Sequence, residues 1–213
     1  MDYHLSVVKF PAPMSSATYH HGDLRRALLA EAAAVLDASG VGALSLRDVA
    51  RRAGVSPTAP YHHFRSKADL VCALAEDALA ALDAALAAAD ATASDPAERI
   101  RAQGVAYVLF AVDHPERFRV AFRSEPGTAP AHAVDERGAL PEDAVAFRHL
   151  VRAVRALTSD PARQGALAVA AWSLVHGLAS LLVDGPLRAV AGDRARVRAL
   201  AEAAVSQILL GGD

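Results

Sequence analysis

Cysteine occurs once in the 213 residues, as Cys72. An intrachain disulfide is therefore impossible and a thiolate-rich zinc site is excluded. A redox switch would have to run between subunits; the other reading is a buried, inert thiol. Aromatic residues make up only 5% of a chain that is 53% hydrophobic. Alanine supplies much of the difference, and alanine is the best helix former and a poor strand former. No stretch alternates with period two for more than a few residues, so the chain is expected to be all-α. Lysine is almost missing: Lys9 and Lys67 stand alone among arginines, a pattern of codon bias in a GC-rich genome. Residues 1–18 lack a basic start followed by a long apolar stretch, so a signal peptide is not expected. They read as a disordered leader, with Met14 as an alternative start.

Catalytic patterns are absent too. No nucleophile–base arrangement, phosphate-cradling glycine loop, or H-x-x-x-H or C-x-x-C ligand pattern occurs. The adjacent His62 and His63 would point about 100° apart on a helix and could not easily chelate one metal. No enzyme activity, metal or cofactor is expected.

The net charge of −2 is uninformative, but its distribution is not. Arg47, Arg51, Arg52, Arg65 and Lys67 face Asp48 alone between positions 45 and 67, whereas acids outnumber bases after residue 72. A basic segment on an acidic body suits local DNA contact, or simply a solvated helix face. Residues 166–183, ALAVAAWSLVHGLASLLV, are uncharged and close to the minimum length for a membrane span. Ser173, His176 and Ser180 interrupt the run, and no aromatic belt or arginine cluster flanks it. A helix buried on two sides within a soluble assembly is the preferred reading.

Punctuation along the chain predicts nine helices. The first starts near Asp23, its expected N-cap, and ends at Ser39–Gly40. Ser45 and Asp48 read as a capping box for a two-turn helix that Gly54 ends. A third short helix is expected from Ser56 to Phe64, with Pro60 disturbing its first turn. Ser66 and Asp69 form another capping box, opening a long helix from Lys67 to about Asp90. Further helices are expected over about 96–112, 115–122, 141–157, 161–184 and 193–210. The Pro/Gly/Ala-rich stretch 123–143 reads as a long loop. Three domains or segments follow: a leader (1–18), a small helical domain (19–66) and a larger helical one (67–213) with its loop at about 123–140.

Two helices joined by the tight turn A-G-V-S make a helix-turn-helix pattern. The whole stretch SLRDVARRAGVSPTAPYHHFRSKADL, residues 45–70, resembles the N-terminal domain of the TetR family of bacterial transcriptional regulators. YHHGDLRRALL, residues 19–29, resembles that family's first helix. The match rests on the A-G-V-S turn, the Y-x-x-F end of the third helix and the S-K-x-D-L start of the fourth, in order. AWSLVHGLASLL, residues 171–182, resembles a subgroup named for a Trp-His-Gly signature, here Trp172, His176 and Gly177.

The resemblance implies a cytoplasmic homodimer that binds double-stranded, palindromic operator DNA and is usually a repressor released by a small-molecule effector. A competing reading is a small-molecule-binding module without operator control. The resemblance gives the DNA-facing positions Ser45, Arg47, Thr58, Ala59, Tyr61, His62, His63 and Lys67. Arg47 would be bidentate to a guanine or would touch a phosphate. Ser45 and its helix N-terminus would meet a phosphate. Tyr61, His63 and Lys67 suit phosphate contact or bracing, and Phe64 suits the core. Pro60 departs from the leucine-like residue usual in the family. Candidate effector-pocket residues are Phe110, His114, Phe118, Phe122, Phe147, Trp172 and His176. The expected dimer seam comprises Trp172, Gly177, Ala179, Val197, Leu200, Ala204 and Ile208, with no membrane involved.

Overall fold

The computed structural model describes residues 21–122 and 147–210. The leader 1–18, the loop 123–143 and the first residues of the helix expected from 141 lie outside them. The described residues form eight α-helices and three 3₁₀ turns, and no strand. The helices are α1 (His21–Ser39), α2 (Leu46–Arg52), α3 (Lys67–Asp90), α4 (Pro96–Asp113), α5 (Pro115–Phe122), α6 (Arg148–Leu157), α7 (Pro161–Val183) and α8 (Arg194–Leu210). The chain is all-α.

Two corrections concern helix starts. α1 begins at His21, upstream of Asp23; an acidic residue favours the first turn as well as the cap, so the signal fixes the start only loosely. Ser45 is the N-cap residue of α2, but its side chain makes no capping bond. Asp48 is instead held by Arg51 and, at 3.0 Å, by Arg52. These guanidiniums keep the Asp48 carboxyl below its usual range. The second box does close: the Asp69 N–H donates to Ser66 Oγ at 3.1 Å, while the Asp69 carboxylate accepts from Arg65 N–H at 3.0 Å. Asp95 caps α4 through the Glu98 N–H at 2.9 Å, with Pro96 at the first helical position, where no donor is needed.

The third helix of the expected set is a single 3₁₀ turn, Ala59–His62. Its cap is Thr58 rather than Ser56, because the Ala59 N–H already takes the Ser56 carbonyl. Pro60 then stands second in the turn, where its missing N–H leaves nothing unpaired. Its carbonyl accepts from both His63 and Phe64 N–H at 2.9 Å, and its ring is buried. Gly54, just upstream, has φ +69° and turns the chain after α2.

Two apolar clusters result. One gathers Leu28, Leu36, Val49, Phe64, Leu70 and Leu74. The other surrounds α4 with Leu82, Leu86, Val108, Phe118, Val154, Leu182 and Val197. Two helices belong to both. α3 gives its first turns to one cluster and Ala78, Leu79, Leu82 and Leu86 to the other. α5 puts Val120 into the first and Phe118 and Ala121 into the second. Arg117 of α5 also pairs with Asp37 of α1, at 2.8 and 3.0 Å, and with Asp77 of α3.

α7 passes the length and hydropathy test for a membrane span, yet only one-third of its apolar window is buried. Ala168, Ala171, Val175, Ala179 and Leu182 form the inward stripe at helical spacing. Val169, Ser173 and Leu181 lie on the open side.

Candidate functional site: a nucleic-acid interface and an aromatic cavity

α2 packs against the 3₁₀ turn, so residues 45–67 present one continuous end of the molecule. Ser45, Arg47, Thr58, Tyr61, His62 and Lys67 are exposed there, Tyr61 by 48%. Arg47 has no ion pair among the described residues. Ala59 and His63 are half-buried, and the His63 ring leans on Phe64 with centroids 6.5 Å apart. His62 and His63 thus diverge, one toward solvent and one toward the core. Phe64 is buried and carries the Arg25 guanidinium over its ring at 5.4 Å. Lys67 donates to the Gly42 carbonyl at 3.2 Å, bracing the turn before α2. Arg65, counted in the basic segment but not among the expected DNA-facing positions, has a side chain 92% exposed, although Asp69 holds one edge of it. A short protruding turn beside a braced two-turn helix, with arginines around both, can enter a groove and touch phosphates.

The pocket residues divide. Phe118, Phe122, Trp172 and His176 form one aromatic cluster with His176 at its centre, its ring 5.1–5.5 Å from the other three. Phe147 stands edge-on to Trp172 at 4.8 Å. Sequence reasoning missed Tyr107, whose hydroxyl shares a 2.9 Å hydrogen bond with His176 Nδ1. It also missed Gln103, one turn earlier on α4; that i, i+4 spacing was the available signal. Burial pushes the Tyr107 hydroxyl up and holds His176 below its ordinary value, so both are neutral at neutral pH. Phe110 and His114 do not join this group. They line a separate, polar cleft of about 540 Å³ with Arg101, Asp113, Arg194 and Arg198. α4 packs against five other helices, so an aromatic on almost any of its faces is buried, and sequence does not tell which space it meets.

The seam residues divide as well. Ala179 and Val197 are wholly enclosed in the subunit's own core, and Trp172 forms a cavity wall. Ala179 and Val197 therefore cannot serve as outward seam, whereas Trp172 is partly exposed. Leu200 is 37% exposed, Gly177 has open space where a side chain would stand, and Ala204 and Ile208 are half-buried. Val169 and Leu181, exposed by 38% and 43%, extend this apolar face.

Comparison with known proteins agrees with the helix-turn-helix reading. Residues 28–74 match the model of bacterial regulatory proteins of the tetR family. Residues 100–208 match the Tetracyclin repressor-like C-terminal domain, a broader description than the Trp-His-Gly subgroup. A structure of a protein with unknown function from Rhodococcus sp. RHA1 is 35% identical, with a TM-score of 0.73 over 92% of this chain and 98% of that one. A bacterial regulatory protein in the tetR family from Rhodococcus RHA1 is 26% identical, with a TM-score of 0.54 over 84% and 95%. The transcriptional regulator SCO7222, a TetR from Streptomyces coelicolor, shares the fold at 22% identity, with a TM-score of 0.62 over 88% and 96%. With the two family models covering both ends of the chain, this protein belongs to the TetR family of DNA-binding transcriptional regulators and is not an enzyme.

Proposed function

We propose that the protein is a homodimeric, cytoplasmic repressor that leaves a palindromic operator when a small molecule binds its larger domain (67–213). The observation that carries this reading is α5. One side of this helix, Phe118 and Phe122, packs into the aromatic cluster around His176. The other, Val120 and Arg117, packs against the small DNA-binding domain (19–66). A shift at the cluster therefore reaches α1 through α5 as well as through the long helix α3. A ligand that favours one α5 position changes the separation of the two reading turns, which must suit half-sites about 34–36 Å apart. Trp172, His176 and Gly177 fit the Trp-His-Gly subgroup, two lining the cluster and one facing outward.

In this reading Arg47 and the Thr58–His62 turn meet the groove, Lys67 holds the scaffold, and Leu181 and Leu200 belong to the seam. The test is titration of labelled DNA from upstream of the gene at several salt concentrations. Tight binding that weakens steeply with salt supports a regulator. A dimer with no such binding defeats it. One observation favours a second reading, a ligand-binding module without operator control: the recognition element is a single 3₁₀ turn. Joint Arg47→Ala and Lys67→Ala substitution separates the two, since only a true operator reader loses affinity.

A further inference from the structure

We propose that the cavity between α4, α6 and α7 takes a neutral, mainly apolar small molecule that accepts a hydrogen bond from the Trp172 indole and donates one to the Gln103 side-chain carbonyl. This rests on the effector reading above and specifies the ligand's chemistry.

Two buried polar atoms carry the inference. Gln103 is 4% exposed and lines the cavity. Its amide nitrogen donates to the Asp90 carboxylate at 2.7 Å and to the His149 carbonyl at 3.4 Å. Both partners are acceptors, which fixes which end of the amide is nitrogen. The opposite atom, Oε1, is buried with no donor among the described residues. Trp172, on the facing helix, also lines the cavity, and its indole Nε1 is buried and unpartnered. The Tyr107 hydroxyl lies beside that indole, but its bond is to His176 Nδ1, and no indole–hydroxyl bond of normal geometry forms. An unmet donor and an unmet acceptor across one cavity are costly in an apolar interior, and native proteins rarely leave them so.

The rest of the lining excludes charge. Leu86, Ile100, Leu150, Val175 and Val205 are aliphatic, and among the described residues no acidic or basic side chain reaches in. A carboxylate or ammonium would enter without a counter-ion, which is strongly unfavourable. The cavity measures about 30 Å³ and opens into a cleft of about 400 Å³ that is continuous with solvent. That is room for a water and little more. A ligand therefore needs one wall to yield. Trp172 and Leu150 are the partly exposed lining residues, the others being buried, so they form that wall.

Trp172 is the sole tryptophan, so its fluorescence reports on this cavity in the full-length protein. The probes are benzamide, benzoate and toluene at millimolar concentration, read by emission and by thermal shift. Benzamide is expected to saturate, to bind at least tenfold more tightly than benzoate, and to exceed toluene. Gln103→Leu should weaken benzamide at least fivefold and leave toluene unchanged. If that variant misfolds, Trp172→Phe read by thermal shift makes the same comparison. Equal or tighter binding of benzoate overturns the proposal. So does toluene matching benzamide, or no saturable response to any probe, which would leave a water as the occupant. Operator binding, measured in parallel without probes, keeps the outcomes apart: DNA binding with no probe response defeats this inference alone, and loss of both defeats the effector reading too.

Discussion

In the proposed reading, Arg47 is the residue on which base recognition turns. It is exposed, unpaired among the described residues and set on a helix braced against the reading turn. Arg47→Ala should lower operator affinity by about 1–3 kcal/mol if the side chain reads a guanine, and should relax specificity at that position. If it touches a phosphate, affinity falls evenly across sequences and the salt slope drops by about one. Filter binding at three salt concentrations distinguishes these outcomes. His176 offers a second single-residue test. Burial depresses its pKa below 6.5, so the unfolded chain takes up its proton first as pH falls. Its contribution to stability is intact above about pH 6.5 and is lost as pH drops from there through the folded value. Denaturant melts should therefore show a pH-dependent loss over this window that is shallower in His176→Gln. Gly54 gives a third. A methyl there meets nothing within 4 Å, so the φ of +69° alone sets the penalty. Gly54→Ala should destabilise by about 1–2 kcal/mol, visible as a lower denaturation midpoint with an unchanged slope.

Among the elements, the long helix α3 was legible to the residue, because Ser66 and Asp69 announce its start and Leu70, Leu74, Leu82 and Leu86 mark its buried side. The breaks at Asp95–Pro96 and Pro115 were legible for the same reason, since proline and a capping acid act locally. The Ser45–Asp48 box was misread because Arg51 and Arg52 compete for the same carboxylate, and a three-residue pattern does not see residues six and seven along. The turn at Ala59–His62 shows the limit in another way. Pro60 was visibly a problem for an α-helix, but its solution depends on which carbonyl the Ala59 N–H takes, a choice made by tertiary packing. Likewise the Asp83–His149 contact at 3.0 Å joins helices distant in sequence and the Asp90–Gln103 contact bridges two successive ones, and no local pattern pairs them. The ligand cavity was half legible: aromatics could be listed, but their sides of α4 could not. Pro60→Ala should restore the chance of a regular turn. Its operator preference, scored by selection from a randomised half-site, should shift more than its stability does.

For the whole molecule, the open apolar face of α7 and α8 carries the prediction. Val169, Leu181 and Leu200 expose large apolar side chains there. Leu200→Glu should shift sedimentation from dimer toward monomer and cost most of the operator affinity, because a palindrome rewards two joined readers. An unchanged sedimentation coefficient would place the seam elsewhere.

Val120 has one more implication, concerning how such chains can be recombined. It sits in α5, more than fifty residues beyond the reading turn, yet it fills the core of the DNA-binding end. A head taken from one relative and joined at residue 66 to another's body would arrive with its own floor plan and meet a foreign side chain at position 120. Heads and bodies are thus exchangeable only in matched sets. A chimera that fails at this junction should be repaired by a single substitution far from the join.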